Sequence, residues 1–397
     1  MALGPYLSPV NLGRQMGAAL LLRRTAGWRR FGQWLTGAAW RSIPAAAGAV
    51  GMGCIGYGYH AVWEVTGDCN LRCAHCHARS SRPRADELDT NEARRLIAGV
   101  ASIRRFRMLV FSGGEPLVRP DLDALLDAAR RAGLVPVVAT NGLLLDRARA
   151  RELRRLGVAC AAVSLDSCDP ALHNRLRGHP RAFELAAAAL EACRAEGMAT
   201  QVNFTARRSN LDSLPGVARL ADAAGAAIML CYQLVPAGRG AELAGETLGV
   251  EENRRLLATV RELQRDLRTI IEPVAAPQYW AGLLGRGGVA GDRPARPVRP
   301  TFFHGCAAGW GLVYIKPDGE VWSCPFVPVS GGNVREQPLR RIWRSGAIFE
   351  ELRRRDRLQG ACGSCPSRRI CGGCRGRAFA ASGSALAEDP VCPLRYS

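Results

Sequence analysis

The sequence predicts an α/β protein whose parallel sheet curls into a barrel or partial barrel. Three observations lead there. Strand-like apolar runs and amphipathic helical stretches alternate six times between residues 61 and 268. The strand-like runs are continuously apolar, as strands covered on both faces are. Residues suited to chemistry stand just after those runs, and right-handed crossovers in such folds gather the site at that edge of the sheet.

Ala61–Thr66 is the first expected strand, followed by a cysteine-bearing loop and a helix that starts near Thr90-Asn91-Glu92. Arg107–Phe111 leads to a helix over Asp121–Arg131, and Leu134–Thr140 to one over Asp146–Leu156. Val158–Leu165 precedes Ala182–Ala195, Ala199–Thr205 precedes Leu211–Ala224, and Ala226–Val235 precedes Glu251–Arg268. Residues 281–301 are rich in Gly, Pro and Arg and read as a linker. Beyond it, Lys316-Pro317-Asp318-Gly319-Glu320 supplies a turn between Leu312–Ile315 and Val321–Trp322, which predicts a hairpin. The chain thus divides into an extension (1–60), a barrel (61–280), the linker, and a C-terminal domain (302–397).

Cys69, Cys73 and Cys76 follow the first strand with C-x3-C-x2-C spacing. Thiolates are the ligands that iron–sulfur clusters prefer, and a loop of this kind places three of them on one cubane, leaving the fourth iron open. Ser112-Gly113-Gly114-Glu115-Pro116 follows the second strand: its glycines let the backbone approach a ligand, and its carboxylate suits an ammonium. Thr140-Asn141-Gly142 ends the third strand, and Ser164-Leu165-Asp166 ends the fourth, where a hydroxyl and a carboxylate suit a ribose or a substrate. A second thiol set comprises Cys306, Cys324, Cys362, Cys365, Cys371, Cys374 and Cys392. Seven thiols are enough for two further clusters, although C-x2-C twice over equally makes a four-cysteine zinc knuckle. Grouped cysteines of this kind read as metal binding in a reducing cytosol rather than as disulfides.

The chain carries a net charge of +19, with 54 Lys+Arg against 35 Asp+Glu. Such a balance favours nucleic acid, an anionic membrane surface or an acidic substrate. No RNA-binding motif or stacking-aromatic pattern accompanies it, so no nucleic-acid partner is expected. Arginines interleave with Trp28, Phe31, Trp34 and Trp40 in the extension, a pattern compatible with peripheral membrane contact through residues 1–41 or with a helix packed on the barrel. Ser42–Trp63 lacks formal charge, but its glycines and Pro44 argue against a spanning helix.

Cys69-Asn70-Leu71-Arg72-Cys73-Ala74-His75-Cys76, with the motifs that end the next strands, resembles the radical S-adenosylmethionine (SAM) family. The resemblance implies a partial (β/α)6 TIM-like barrel and a [4Fe–4S] cluster whose open iron binds SAM. It implies that Gly113, Gly114 and Glu115 contact the SAM amino end and that Ser164 contacts the ribose. Asn141 and Asp166 join them as cofactor-binding positions, and Arg177, with Arg175 as the near alternative, meets the SAM carboxylate. The C-terminal cysteines resemble the SPASM extension, which holds one or two auxiliary [4Fe–4S] clusters. On that resemblance Cys362, Cys365, Cys371 and Cys392 hold one cluster and Cys306, Cys324 and Cys374 the other, with His304 or an open iron as its fourth position.

Cys371-Gly372-Gly373-Cys374 has a shorter spacing than the usual C-x3-C. That form, with Arg375-Gly376-Arg377-Ala378-Phe379, resembles the branch making haem d1 and haem by the alternative route. The implied activity is reductive cleavage of SAM to a 5′-deoxyadenosyl radical that modifies a tetrapyrrole, in the cytoplasm and with ferredoxin or flavodoxin as electron donor. Two alternatives stand beside it: a peptide maturase of the pyrroloquinoline quinone or mycofactocin type, and a non-catalytic iron–sulfur scaffold or electron carrier. If the extension is an appendage, deleting residues 1–40 leaves the iron content per chain unchanged. Loss of all iron on deletion makes it part of the core instead.

Overall fold

The structure, a computed structural model, describes residues 59–284, 305–369 and 371–395. The expectations for the extension before residue 59, for most of the linker and for His304 lie outside these residues. Among the described residues no helix is long and apolar enough to cross a membrane.

The barrel strands are β1 (His60–Glu64), β2 (Met108–Ser112), β3 (Val135–Thr140), β4 (Cys160–Ser164), β5 (Ala199–Ala206), β6 (Ile228–Gln233) and β7 (Ile270–Val274). The C-terminal region adds β8 (Leu312–Ile315), β9 (Glu320–Cys324) and β10 (Val327–Asn333). All ten form one sheet in the order β10-β9-β8-β1-β2-β3-β4-β5-β6-β7. Strands β1 to β7 are parallel, β8 runs parallel to β1, and β9 and β10 return antiparallel. The barrel and the C-terminal thiol region therefore share a continuous sheet, and the expected hairpin is the first part of a three-strand meander.

Alternation along each strand separates two cores. Trp63, Phe111, Val138, Val163 and Phe204 face outward and pack with helix residues such as Leu96, Leu125 and Leu256. Val110, Val137, Cys160, Ala162, Ile228 and Leu230 face the barrel interior. The helices meet the sheet through apolar stripes. In α1 (Thr90–Ser102) the buried residues are Ala93, Leu96, Ile97 and Val100, one face of a 3.6-residue period. Its start is fixed by a capping box: Asp89 accepts from the amides of Asn91 and Glu92 while Glu92 reaches back to the Asp89 amide.

The remaining barrel helices are α2 (Leu122–Arg131), α3 (Arg147–Arg155), α4 (Pro170–Arg177), α5 (Ala182–Ala195), α6 (Leu214–Ala223), α7 (Val250–Asp266) and α8 (Pro277–Leu284). Of α1 to α8, six match the expected alternation and α4 and α8 were not anticipated; the barrel has one strand more than the six expected. Strand β7 contains Glu272 and Pro273, residue types that strands disfavour. Pro273 is tolerated because β7 is the edge strand of the sheet. The expected linker also begins late, since residues 281–284 are the last turn of α8.

A buried polar network locks the C-terminal helix α12 (Arg375–Ser382; α9 to α11 are Leu339–Ser345, Ala347–Arg353 and Gly360–Ser364) to the barrel. Arg377 binds both Asp389 oxygens at 2.8 Å and also reaches Gln233 at the end of β6. Gln233 in turn donates to Asn253, and Asn253 donates to the Val391 carbonyl. Removing one member of a buried ion pair leaves the other charge uncompensated, at a cost of about 3–5 kcal/mol. Arg377→Met therefore lowers the anaerobic thermal midpoint by several degrees, and an unchanged midpoint in a calorimetric scan contradicts this role.

Candidate active site and thiol centres

The loop after β1 lies across the end of β2. Gly114 donates to the Thr66 carbonyl and Glu115 to the Asp68 carbonyl, both at 2.8 Å. This approach leaves no room for a side chain. A Cβ on Gly114 would stand 1.8 Å from the Asp68 oxygen, and Gly113, at φ +129°, would place one 2.6 Å from the Thr66 oxygen. The Glu87 carboxylate accepts from Gly67, Thr66 and Arg84, which holds the first half of the loop. Arg239 holds the second half: its backbone amide donates to the Cys76 carbonyl, and its guanidinium to those of Cys73 and Ser80, each at 2.9 Å.

The loop turns Cys69, Cys73 and Cys76 into a cavity of about 250 Å³ inside the barrel, which Gly113, Gly114, Asn141, Ser164 and Arg177 also line. Glu115 and Asp166 are fully buried behind that wall. Burial pushes the Glu115 carboxyl up to about 7, although three donors favour its charged form: Thr140 Oγ1 and the Asn141 amide at 2.8 Å and the Leu117 amide at 3.1 Å. Asn141 also donates from its side chain to Asn70 in the cysteine loop at 2.7 Å.

Asp166 accepts from the Thr205 amide and pairs with Arg177 at 2.6 Å and His75 at 3.3 Å. Burial alone would raise its carboxyl, but Arg177 and then His75 hold it down at about 2. Arg177 also approaches Cys73 Sγ at 3.7 Å, whereas Arg175 is exposed. A further network was not legible in sequence. The Tyr314 hydroxyl donates to Glu64, Lys316 pairs with the same carboxylate, and His77 Nε2 lies 2.9 Å from the Tyr314 oxygen. The register of β1 on β8 creates it, and residues 250 positions apart carry no local signal of that meeting. Arg239 was also missed, as was Gly238, where a Cβ would stand 2.2 Å from the His77 oxygen, although Pro236-Ala237-Gly238-Arg239 directly follows the expected strand Ala226–Val235.

The donor chemistry fits an iron–sulfur cluster. Burial, followed by the charges of Glu115, Cys73 and Cys76, pushes the Cys69 thiol up to about 12, and burial likewise raises Cys73. Thiols packed this way become thiolates only when cations neutralise them. Among the described residues no three His, Cys, Asp or Glu side chains converge on a single ion. A cubane instead takes each thiolate on a different iron, so it needs its ligands further apart.

The C-terminal thiols form two neighbourhoods. Cys324 is raised by burial and then by Cys306, with Cys374 close enough to add to it. Cys371 feels Cys392 and Cys362, and Cys392 feels Cys362 and Cys365. Amides point at these sulfurs: Gly373 N lies 3.3 Å from Cys371 Sγ, Asp389 N 3.4 Å from Cys362 Sγ, and Arg377 N 3.5 Å from Cys374 Sγ. Gly372 and Gly373 both have positive φ, and a Cβ on Gly372 would stand 1.2 Å from the Arg355 guanidinium. The two-residue spacing between Cys371 and Cys374 thus requires glycine at both inner positions.

Residues 63–220 match the model of the radical SAM superfamily, and residues 306–366 match SPASM, the iron–sulfur cluster-binding domain. The AdoMet-dependent heme synthase of Methanosarcina barkeri is 37% identical over 336 residues, covering 84% of this chain and 95% of that protein. The Fe-coproporphyrin III synthase of the same organism is 32% identical over 84% of this chain and 87% of its own length. Streptococcus suis SuiB, solved bound to its precursor peptide SuiA, shares the fold with a TM-score of 0.68 at 17% identity, over 89% of this chain and 79% of that one. With that length of match and a cysteine loop seated at the mouth of a partial barrel, the chain belongs to the radical SAM superfamily and carries a C-terminal SPASM domain.

Proposed function

We propose that this chain is a radical SAM enzyme that modifies a carboxylate-bearing tetrapyrrole in haem-type side-chain chemistry. The observation that carries the substrate class is the 37% identity to an AdoMet-dependent heme synthase over nearly the whole of both proteins. Cys69, Cys73 and Cys76 hold the cluster that binds SAM. Together, cluster and SAM supply a one-electron cleavage yielding methionine and a 5′-deoxyadenosyl radical, which takes hydrogen from an unactivated carbon.

The chain's own residues bind, orient and exclude water. Gly113, Gly114, Asn141 and Ser164 form the cavity edge that receives SAM. Glu115 keeps that edge fixed through Thr140 and Asn141, and the Asp166–Arg177 pair presents a guanidinium edge beside Cys73. The two C-terminal neighbourhoods support one auxiliary cluster on Cys362, Cys365, Cys371 and Cys392. Cys306, Cys324 and Cys374 would hold the other, a set one thiolate short of four that substrate could complete. A one-electron protein donor of the ferredoxin or flavodoxin type reduces the enzyme in a reducing cytosol. The basic, aromatic segment 1–41 is the part suited to peripheral membrane contact.

The test pairs wild type with Cys73→Ala under anaerobic, reducing conditions, with SAM and either Fe-coproporphyrin III or an acidic precursor peptide. Mass spectrometry follows 5′-deoxyadenosine and the mass of each candidate substrate. Wild type releases 5′-deoxyadenosine and converts the tetrapyrrole; Cys73→Ala does neither yet keeps the auxiliary iron. Conversion of the peptide alone establishes the maturase reading, and no 5′-deoxyadenosine from wild type establishes a scaffold.

A further inference from the structure

The C-terminal region buries more positive charge than negative. From residue 305 onward, the buried charged side chains among the described residues are Arg355, Arg375, Arg377 and Asp389. Arg377 binds both oxygens of Asp389, so that carboxylate is taken. Arg355 and Arg375 make no ion pair with any carboxylate among the described residues. A buried charge without a partner of opposite sign is costly, and the imbalance calls for an anion. Arg375 donates to the carbonyls of Gly373, Ala385 and Ala387, and its Nη2 lies 3.5 Å from Cys362 Sγ. Arg355 stands in the turn after α10 and has one bond, from Nη2 to the Cys306 carbonyl at 2.7 Å. Its Nε and Nη1 are buried without a partner among the described residues.

The place of Arg355 is the seam between the two thiol neighbourhoods. The Cys306 amide donates to the Cys371 carbonyl at 3.1 Å, and the guanidinium packs on Gly372 beside that bond. Burial pulls the Arg355 pKa down and Arg375 adds to this, while Cys306, Cys371 and Cys362 oppose it. A guanidinium stays charged even so. As neutral thiols the cysteines do not balance it. As iron ligands they are thiolates, and a [4Fe–4S] core with its thiolates is an anion whose charge grows by one on reduction. We propose that Arg355 is the shared counter-ion of the two auxiliary clusters, a fixed buried charge that favours their reduced state and raises their reduction potentials. The inference rests on the reading that clusters occupy both thiol sets. Arg355 acts through space and is not a ligand. When a cluster gains one electron no bond forms or breaks, and the guanidinium rather than a proton offsets the added charge. The cysteine loop differs, because Arg177 beside Cys73 is already paired with Asp166.

The experiment is a redox titration of the full-length reconstituted enzyme with titanium(III) citrate, followed by electron paramagnetic resonance. Wild type, Arg355→Gln and Arg355→Lys are compared, with iron per chain recorded for each. The signal that shifts when SAM is added belongs to the cysteine-loop cluster and serves as the internal standard. Arg355→Gln keeps a donor but removes the charge. At least one auxiliary midpoint then falls by about 59 mV, a tenfold change in a one-electron equilibrium, as losing a charged partner does. The SAM-responsive midpoint does not move. Arg355→Lys, which keeps the charge, holds both auxiliary midpoints at wild type. Auxiliary midpoints that are unchanged or raised in an iron-loaded Arg355→Gln overturn the proposal. An Arg355→Lys enzyme that loses auxiliary iron or shows the same fall also overturns it, because the site then needs the shape of arginine and not its charge. Should Arg355→Gln lose auxiliary iron, an Arg355→Lys enzyme that keeps it at the wild-type midpoint upholds the counter-ion. A wild type with no signal besides the SAM-responsive one refutes the auxiliary clusters themselves, a separate result.

Discussion

The backbone of the cysteine loop rests directly on the backbone at the end of β2, and the rest of the site depends on that contact. Two amide–carbonyl bonds, Gly114 to Thr66 and Glu115 to Asp68, set the loop at a separation that only glycine permits. Glu87 and Arg239 then tie down its two halves through loop amides and carbonyls. None of these bonds uses a cysteine side chain. The thiols are thereby free to face the cavity together, and their mutual repulsion as thiolates is left for bound metal to relieve.

A second constraint is the continuity of the sheet. Because β8 pairs with β1, the SPASM meander extends the barrel sheet rather than hanging from a linker. Tyr314 and Lys316 on β8 reach Glu64 on β1, and His77 of the cysteine loop meets Tyr314. On the opposite flank Arg377 and Asp389 grip Gln233 and, through Asn253, the C-terminal segment. The C-terminal thiols thus take their position from the same strands that shape the barrel cavity.

Much of this was legible because local chemistry announces itself. Asp89 with Glu92 marks a helix start, the C-x3-C-x2-C spacing marks a loop that gathers its thiols at one cavity, and Gly-Gly-Glu after an apolar run marks a close approach. The α/β class, six of the parallel strands and the meander's first hairpin followed from such signals. What sequence concealed was set by register and by competition between partners. Asp166 and Arg177 read as separate ligand contacts, yet in the fold they pair with each other beside Cys73. Strand β7 carries a proline that its edge position tolerates, and the Glu64–Tyr314–Lys316 group arises only when strands distant in sequence align.

The seat of the loop is the central claim, and Gly114→Ala addresses it without altering any thiol. The measurement is electron paramagnetic resonance of the reduced, reconstituted enzyme with and without SAM. In wild type one [4Fe–4S] signal shifts when SAM is added. In Gly114→Ala, where the new Cβ displaces the loop from β2, that SAM-responsive signal is lost while the auxiliary signals remain. A Gly114→Ala enzyme that keeps the SAM-responsive signal at full intensity contradicts the account.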